Sequence, residues 1–255
     1  MDPPERDELK ALRATRGAIN SYVAFGTVDG PGVRFVLFLQ GCPLRCLYCH
    51  NPDSVMGGGK SEIWTAEQAL DKILRYRGFI KSGGVTLSGG EPLMQPEFVY
   101  ALTTLLHEAG LHVAVDTSGC QDLAKVQKAI DAADMLLLDI KAVDPEVSVR
   151  LTGQDNVNAF ATLDYCEKTG KPVWIRHVLL RGYTLDAEQL DALAKRLKQY
   201  SCVEMIELLP FHKYGEEKWK KIGRPYTLAD VEATTEEEAA WAREFFTRQG
   251  LKVLQ

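Results

Sequence analysis

From Val33 onward the chain alternates short apolar runs with longer amphipathic stretches, the signature of repeating strand–helix units. Strands are predicted at Val33–Leu39, Gly84–Leu87, His112–Val115, Met135–Ile140, Val173–Leu180 and Val203–Leu208. Helices are predicted between them, near Ala66–Tyr76, Pro96–Glu108, Leu123–Ala132, Val157–Lys168 and Ala187–Gln199, with Glu236–Gln249 after the last strand. Thr65 with Gln68 three residues on, Pro96, and Asp186 before Ala187 are start signals, and Gly110, Gly170 and Gly250 are stops. An unbroken series of such units predicts a parallel sheet with right-handed crossovers. A closed eight-unit barrel takes about 250 residues. Six units within 255 residues therefore predict an α/β fold of the open, incomplete (β/α)6 TIM-like barrel type, with a flat doubly wound sheet as the alternative. Residues 1–16 are polar, with only Leu9 and Leu12 in helical register. They are expected to be an extension, loose or a small helix, ahead of one domain over residues 17–255.

Each predicted strand runs into an unusual polar group at its C-terminal end. The first leads to Cys42-Pro-Leu-Arg-Cys46-Leu-Tyr-Cys49, and the second to Ser88-Gly89-Gly90-Glu91-Pro92. The third ends at Asp116-Thr117-Ser118-Gly119, the fourth at Asp139-Ile140-Lys141, the fifth carries Arg176 and His177, and the sixth reaches Pro210-Phe211-His212. Parallel βα folds bind ligands at this edge, so the convergence marks a candidate active site. Strand alternation lets only one of Arg176 and His177 face inward, and Arg176 is the choice.

The three closely spaced cysteines suggest a 4Fe–4S cluster held at three corners, with the fourth iron open to a substrate. Two blander sites share the spacing. Cys46-Leu-Tyr-Cys49-His50 fits covalent haem attachment, but the acidic N-terminus has no apolar export signal. Structural zinc usually draws on a second ligand pair, whereas Cys120, Cys166 and Cys202 are single and scattered, and are expected to be buried free thiols. A net charge of −5 argues against a general nucleic-acid binder, no apolar run approaches a membrane span, and unsecreted cysteines point to a reducing cytoplasm. Gly57-Gly-Gly-Lys60-Ser61 looks like the end of a phosphate loop, but no strand precedes it, and a flexible connection is expected. Leu102, Leu105, Leu106 and Ala109 form a helical stripe expected to be core.

Taken together, Thr27-Val-Asp-Gly-Pro-Gly-Val-Arg34, the cysteine motif, Ser88-Gly-Gly-Glu-Pro92, Asp116-Thr-Ser-Gly119, Leu138-Asp-Ile-Lys141 and Glu207-Leu-Leu-Pro-Phe-His212 resemble the radical S-adenosylmethionine enzymes. Within them the likeness is to the activases of glycyl-radical enzymes, over about residues 17–255. The resemblance implies that Cys42, Cys46 and Cys49 ligate the cluster and that S-adenosylmethionine chelates its open iron. It implies cofactor contacts from Tyr48, Gly89, Gly90, Glu91, Asp116, Lys141, Arg176 and His212, the two glycines by close backbone approach. It implies a monovalent-cation site (Na+ or K+) of Asp116, Thr117 and Asp139 with the Leu137 carbonyl. Asp29, His50 and Asn51 are expected to line the entrance for the substrate peptide. The implied chemistry is reductive cleavage of S-adenosylmethionine to a 5′-deoxyadenosyl radical, which takes a hydrogen from a glycine Cα of the partner enzyme. No cysteine lies in 50–88, which leaves one cluster and favours the pyruvate formate-lyase branch. That branch implies anaerobic work on pyruvate formate-lyase, a flavodoxin or ferredoxin as electron donor, and action as a monomer. The alternatives are an activase for another glycyl-radical enzyme, a radical enzyme acting on a small molecule, or a non-catalytic iron–sulfur electron carrier.

Overall fold

The computed structural model describes residues 3–55 and 61–255; the glycine-rich stretch 57–60 lies outside the described residues. One eight-stranded sheet organises the chain. Its strands are β1 (Arg16–Gly26), β2 (Arg34–Leu39), β3 (Glu62–Thr65), β4 (Gly84–Gly89), β5 (Val113–Thr117), β6 (Met135–Asp139), β7 (Val173–Leu179) and β8 (Val203–Pro210). The helices are α1 (Pro3–Ala14), α2 (Pro52–Val55), α3 (Ala66–Leu74), α4 (Pro96–Glu108), α5 (Leu123–Ala132), α6 (Pro145–Thr152), α7 (Val157–Thr169), α8 (Ala187–Leu197), α9 (Glu216–Lys221) and α10 (Glu236–Arg248).

The strand order is β3-β1-β2-β4-β5-β6-β7-β8. From β2 to β8 neighbours are parallel and advance in one direction without reversal. Right-handed crossovers then carry every connecting helix to one face, which excludes the doubly wound alternative. The sheet is open, because β3 and β8 end it without pairing, and this is a partial barrel. The six expected strands are the parallel ones. The structure adds β1 and β3, antiparallel at one edge. Both are largely exposed or half-buried, β3 at the edge and β1 next to it, so they lack the continuous apolar run that marks a strand buried on two faces.

Alternation along each strand sorts the side chains. Phe35, Leu37, Leu39, Val85, Leu87, Val113, Val115, Leu136 and Leu138 join the helices in the outer core. Leu102, Leu105 and Leu106 of α4 are buried there, as the stripe predicts. The inner face holds a small apolar patch of Ala114, Met135 and Leu137 with Trp174, and then charge. Arg34, fully buried, closes its lower end: Nε donates to Thr86 Oγ1 at 2.6 Å and Nη2 to the Val85 carbonyl at 2.5 Å. Thr86 Oγ1 in turn donates to the Asp29 carbonyl at 2.6 Å, so the Thr27–Gly32 segment is stitched across the inner face. Residues 3–14 form a helix, with Leu9 and Leu12 packed against the core and Arg13 paired to Glu67 at 2.9 Å. No described helix is long and apolar enough to cross a membrane.

Candidate active site

The cysteine loop follows β2 and is tied to four other elements. Gln40 Nε2 and Gly41 N both donate to the Ser54 carbonyl at 2.8 Å, closing the loop on α2. Gln95 Nε2 donates to the Gln40 carbonyl at 2.9 Å and to the Ala18 carbonyl at 3.0 Å, tying the loop to β1. Arg45 N and Leu47 N donate to Thr152 and Leu151 at the end of α6, at 2.7 and 3.0 Å. Trp219 Nε1 of α9 donates to the Cys49 carbonyl at 2.8 Å. Gln95 and Trp219 belong to no motif, and no pattern in the sequence marks either as a brace of this loop.

Cys42, Cys46 and Cys49 are all free thiols. Burial pushes all three up, Cys46 to about 12, so a positively charged group is needed to hold them as thiolates. Among the described residues no three or more His, Cys, Asp or Glu side chains converge on a point where one metal ion would sit. Cys166 and Cys202 are buried in the core as expected. Cys120 is not: it follows Gly119 in the loop after β5, is half-buried, and lines a small cavity with Leu44, Ser118, Asp139 and Lys141.

At Gly89 and Gly90 the space that a side chain would fill is taken by the chain itself. A Cβ on Gly89, whose φ is +130°, would lie 2.2 Å from Leu39 N. One on Gly90 would lie 2.2 Å from the Gly41 carbonyl oxygen and 3.1 Å from Cys42 Cβ. The missing side chains make room for the chain's own cysteine loop.

Glu91 turns its carboxylate onto the chain's own loops. It is 1% exposed and all its acceptor directions are taken. Oε1 accepts from Leu93 N at 3.0 Å and Thr117 Oγ1 at 2.7 Å; Oε2 accepts from Ser118 N at 2.9 Å and Ser118 Oγ at 2.6 Å. Burial pushes its carboxyl up, against the pull of those bonds. It splints the β4 loop to the β5 loop and has nothing left for a ligand. The Thr117 side chain is committed likewise, donating to Glu91 and accepting from Gly119 N at 3.0 Å, so only its backbone oxygen is left for a cation.

The inner face is different. Ser88 Oγ donates to Asp116 Oδ2 at 2.6 Å. Arg176 Nη1 lies 3.3 Å from Asp116 Oδ1 and Nε lies 2.9 Å from Glu207 Oε2. These are charge pairs off the hydrogen-bond line, so Asp116 Oδ1 and Arg176 Nε remain buried without a hydrogen-bond partner. Burial opposes the Arg176 charge, but Asp116, Asp139, Glu207 and Asp29 outweigh it and raise its pKa. Burial, then Asp116, pushes the Asp29 carboxyl up. His177 faces the other way, buried, with Nδ1 2.6 Å from the Ile140 carbonyl. Glu207 is a site residue that the strand pattern signals only as an acid at an alternate position in an apolar run.

Asp139 pairs with Lys141 at 2.8 Å, and Leu137 lies beside Asp116 in the sheet register. Lys141 Nζ sits 5.8 Å from the Tyr48 ring centroid. Tyr48 is buried beneath the cysteine loop, and its hydroxyl has no partner. Beside the loop His50 stacks on His212 with centroids 4.2 Å apart, and His212 lies against the exposed Tyr214 at 4.1 Å. Asn51 Oδ1 accepts from Lys218 Nζ at 2.6 Å. Of the expected peptide-lining residues, Asp29 is therefore on the inner face, while His50 and Asn51 lie against the segment around α9. Three thiols on one braced loop and spare hydrogen-bonding atoms on Asp116, Arg176 and Tyr48 fit a cluster with a polar, zwitterionic ligand beside it.

Comparison with known proteins agrees. The Radical SAM superfamily is matched over residues 36–199. The pyruvate formate-lyase-activating enzyme of Staphylococcus aureus is 41% identical over 92% of this chain and 97% of its own length. A solved domain of the pyruvate-formate lyase-activating enzyme of Bacteroides vulgatus matches with a TM-score of 0.57 and 26% identity, covering 68% of this chain and 98% of that one. A radical SAM methyltransferase from Sphaerobacter thermophilus shares the fold, with a TM-score of 0.65 at 17% identity over 100% of this chain and 81% of its own. The chain belongs to the radical SAM superfamily and, within it, to the family of pyruvate formate-lyase-activating enzymes. Its cofactors are accordingly a 4Fe–4S cluster and S-adenosylmethionine.

Proposed function

We propose that this protein installs the glycyl radical on pyruvate formate-lyase, working in the cytoplasm under anaerobic conditions as a monomer. The observation that carries the reading is the juxtaposition of three free thiols on one braced loop with an ionic wall whose Asp116 and Arg176 keep unused hydrogen-bonding atoms. Cys42, Cys46 and Cys49 would hold the cluster, which with S-adenosylmethionine supplies a reductively generated radical able to take a glycine Cα hydrogen. Asp116 and Arg176 orient the cofactor's amino-acid end, and Ser88 and Glu207 fix those two in turn. Lys141, held by Asp139, adds a cation facing Tyr48 and the cysteine loop. Asp116 and Asp139, with the Leu137 carbonyl and the Thr117 backbone oxygen, are the group to which a monovalent cation would bind. Asp29 on the stitched Thr27–Gly32 segment lines the inner face where the glycine peptide would enter. The fixed positions of these groups matter because a reactive radical must meet the intended C–H first.

Anaerobic incubation of the reconstituted protein with dithionite and S-adenosylmethionine should yield 5′-deoxyadenosine and methionine. Cys42→Ala, Cys46→Ala and Cys49→Ala should each abolish it. Cleavage undiminished in those variants would refute the assignment.

A further inference from the structure

The electron that starts the reaction must come from outside, because the remaining described cysteines form no second cluster motif: Cys166 and Cys202 are buried in the core and Cys120 is a single thiol beside the first loop. The inner face is taken up by cofactor and substrate peptide on the reading above, which this inference rests on. A donor protein therefore has to approach the cysteine loop from its outer side.

That side is covered by α9. Gly215, at its start, is pressed so closely on the loop that a Cβ there would lie 2.9 Å from the Cys49 carbonyl oxygen. The 2.8 Å hydrogen bond from Trp219 Nε1 to the same carbonyl is a direct link between this helix and a cluster ligand. Trp219 and Arg45 line one shallow cavity together with Cys46 and Cys49.

The charge here runs against that of the whole. In a chain of net charge −5, residues 213–224 carry five basic side chains (Lys213, Lys218, Lys220, Lys221 and Arg224) and only two acidic ones, Glu216 and Glu217. Lys220 is paired with both glutamates, at 3.0 and 3.2 Å. Lys221 and Arg224 are exposed and have no ion-pair partner among the described residues. Tyr214, 85% exposed at the head of α9, supplies an aromatic anchor of the kind enriched at the centres of interfaces.

We propose that α9 and the outer side of the cysteine loop form the docking face for an acidic one-electron carrier protein. Lys221 and Arg224 steer it in, and Trp219 links that face to a cluster ligand through its hydrogen bond to the Cys49 carbonyl. Electrostatic complementarity of this sort sets association rate and orientation and weakens with salt.

The test uses the reconstituted holoenzyme and an acidic flavodoxin as probe. Binding is measured by titration calorimetry at low and high ionic strength, and cluster reduction by stopped flow. Lys221→Glu/Arg224→Glu should weaken binding about tenfold or more at low salt and flatten its salt dependence. Lys125→Glu/Lys168→Glu, the same charge change on outer helices, should weaken it about twofold or less. Reduction by dithionite should be equal in all three proteins. Equal weakening by the two double variants would overturn the docking face. Failure of the dithionite-reduced wild type to cleave S-adenosylmethionine would instead sink the functional reading, while the binding comparison would still decide the face.

Discussion

Glu91 and Asp116 stand at the C-terminal ends of neighbouring strands, both largely out of water, and they do opposite things. Glu91 accepts four hydrogen bonds from its own chain and has no capacity left. Asp116 accepts one from Ser88, leans on Arg176, and leaves Oδ1 without a partner. A buried carboxylate that the fold satisfies completely is part of the fold. One that the fold leaves wanting is poised for something else. The same contrast divides the two faces of the sheet: the outer one is apolar and closed, the inner one ionic and incompletely paired.

The sharpest way to break this contrast is to remove each carboxylate in turn. Glu91→Ala strands three donors of the β5 loop and one of the β4 loop. It should cost about 3 kcal/mol or more, read as a fall in the denaturant midpoint. Asp116→Ala should cost only about 1 kcal/mol, since Arg176 keeps Glu207 and a like-charge repulsion on Asp29 and Glu207 is relieved. Its loss should appear in S-adenosylmethionine affinity, about tenfold or more by calorimetry on the holoenzyme. If the two variants lose stability equally, the distinction fails.

A smaller effect is expected from Gly90→Ala. Its new methyl must push the Gly41 carbonyl and the cysteine loop aside, at about 1–3 kcal/mol and with iron content per chain reduced after reconstitution. Full iron loading would show that the close approach is slack.

The smallest effect belongs to the outer face. Burial lowers the His177 pKa below its ordinary 6.5, so the folded chain keeps this ring neutral while the unfolded chain takes up a proton. The unfolded state then binds more protons, and stability falls as the pH drops below about 6.5. Denaturant midpoints measured from pH 7.5 to 5 should fall less steeply in His177→Gln.

The inner wall was partly legible in advance. Parity along one strand is enough to put Arg176 and His177 on opposite faces, and the six parallel strands announce themselves because both their faces are buried. The strand–loop junctions were not legible in this way. Nothing in Ser-Gly-Gly-Glu-Pro says whether the acid turns toward ligand or toward the next loop, and here it turns to Ser118. The glycines beside it read as room for close approach to a ligand, and nothing in the motif says that Leu39 and Gly41 crowd the positions their side chains would take. Strands β1 and β3, being half-exposed, have no pattern strong enough to stand out from a loop. The long-range braces Gln95 and Trp219 belong to no periodicity at all, and only the folded chain brings them to the cysteine loop.

The most direct measurement is electron paramagnetic resonance. Reconstituted protein, S-adenosylmethionine, a reductant and purified pyruvate formate-lyase are mixed without oxygen and frozen. The account predicts a glycyl doublet on the partner, absent with Cys46→Ala and strongly reduced with Asp116→Ala. 5′-Deoxyadenosine formed without a doublet would contradict the assignment of pyruvate formate-lyase as the target, and no product from a fully loaded cluster would contradict the catalytic account itself.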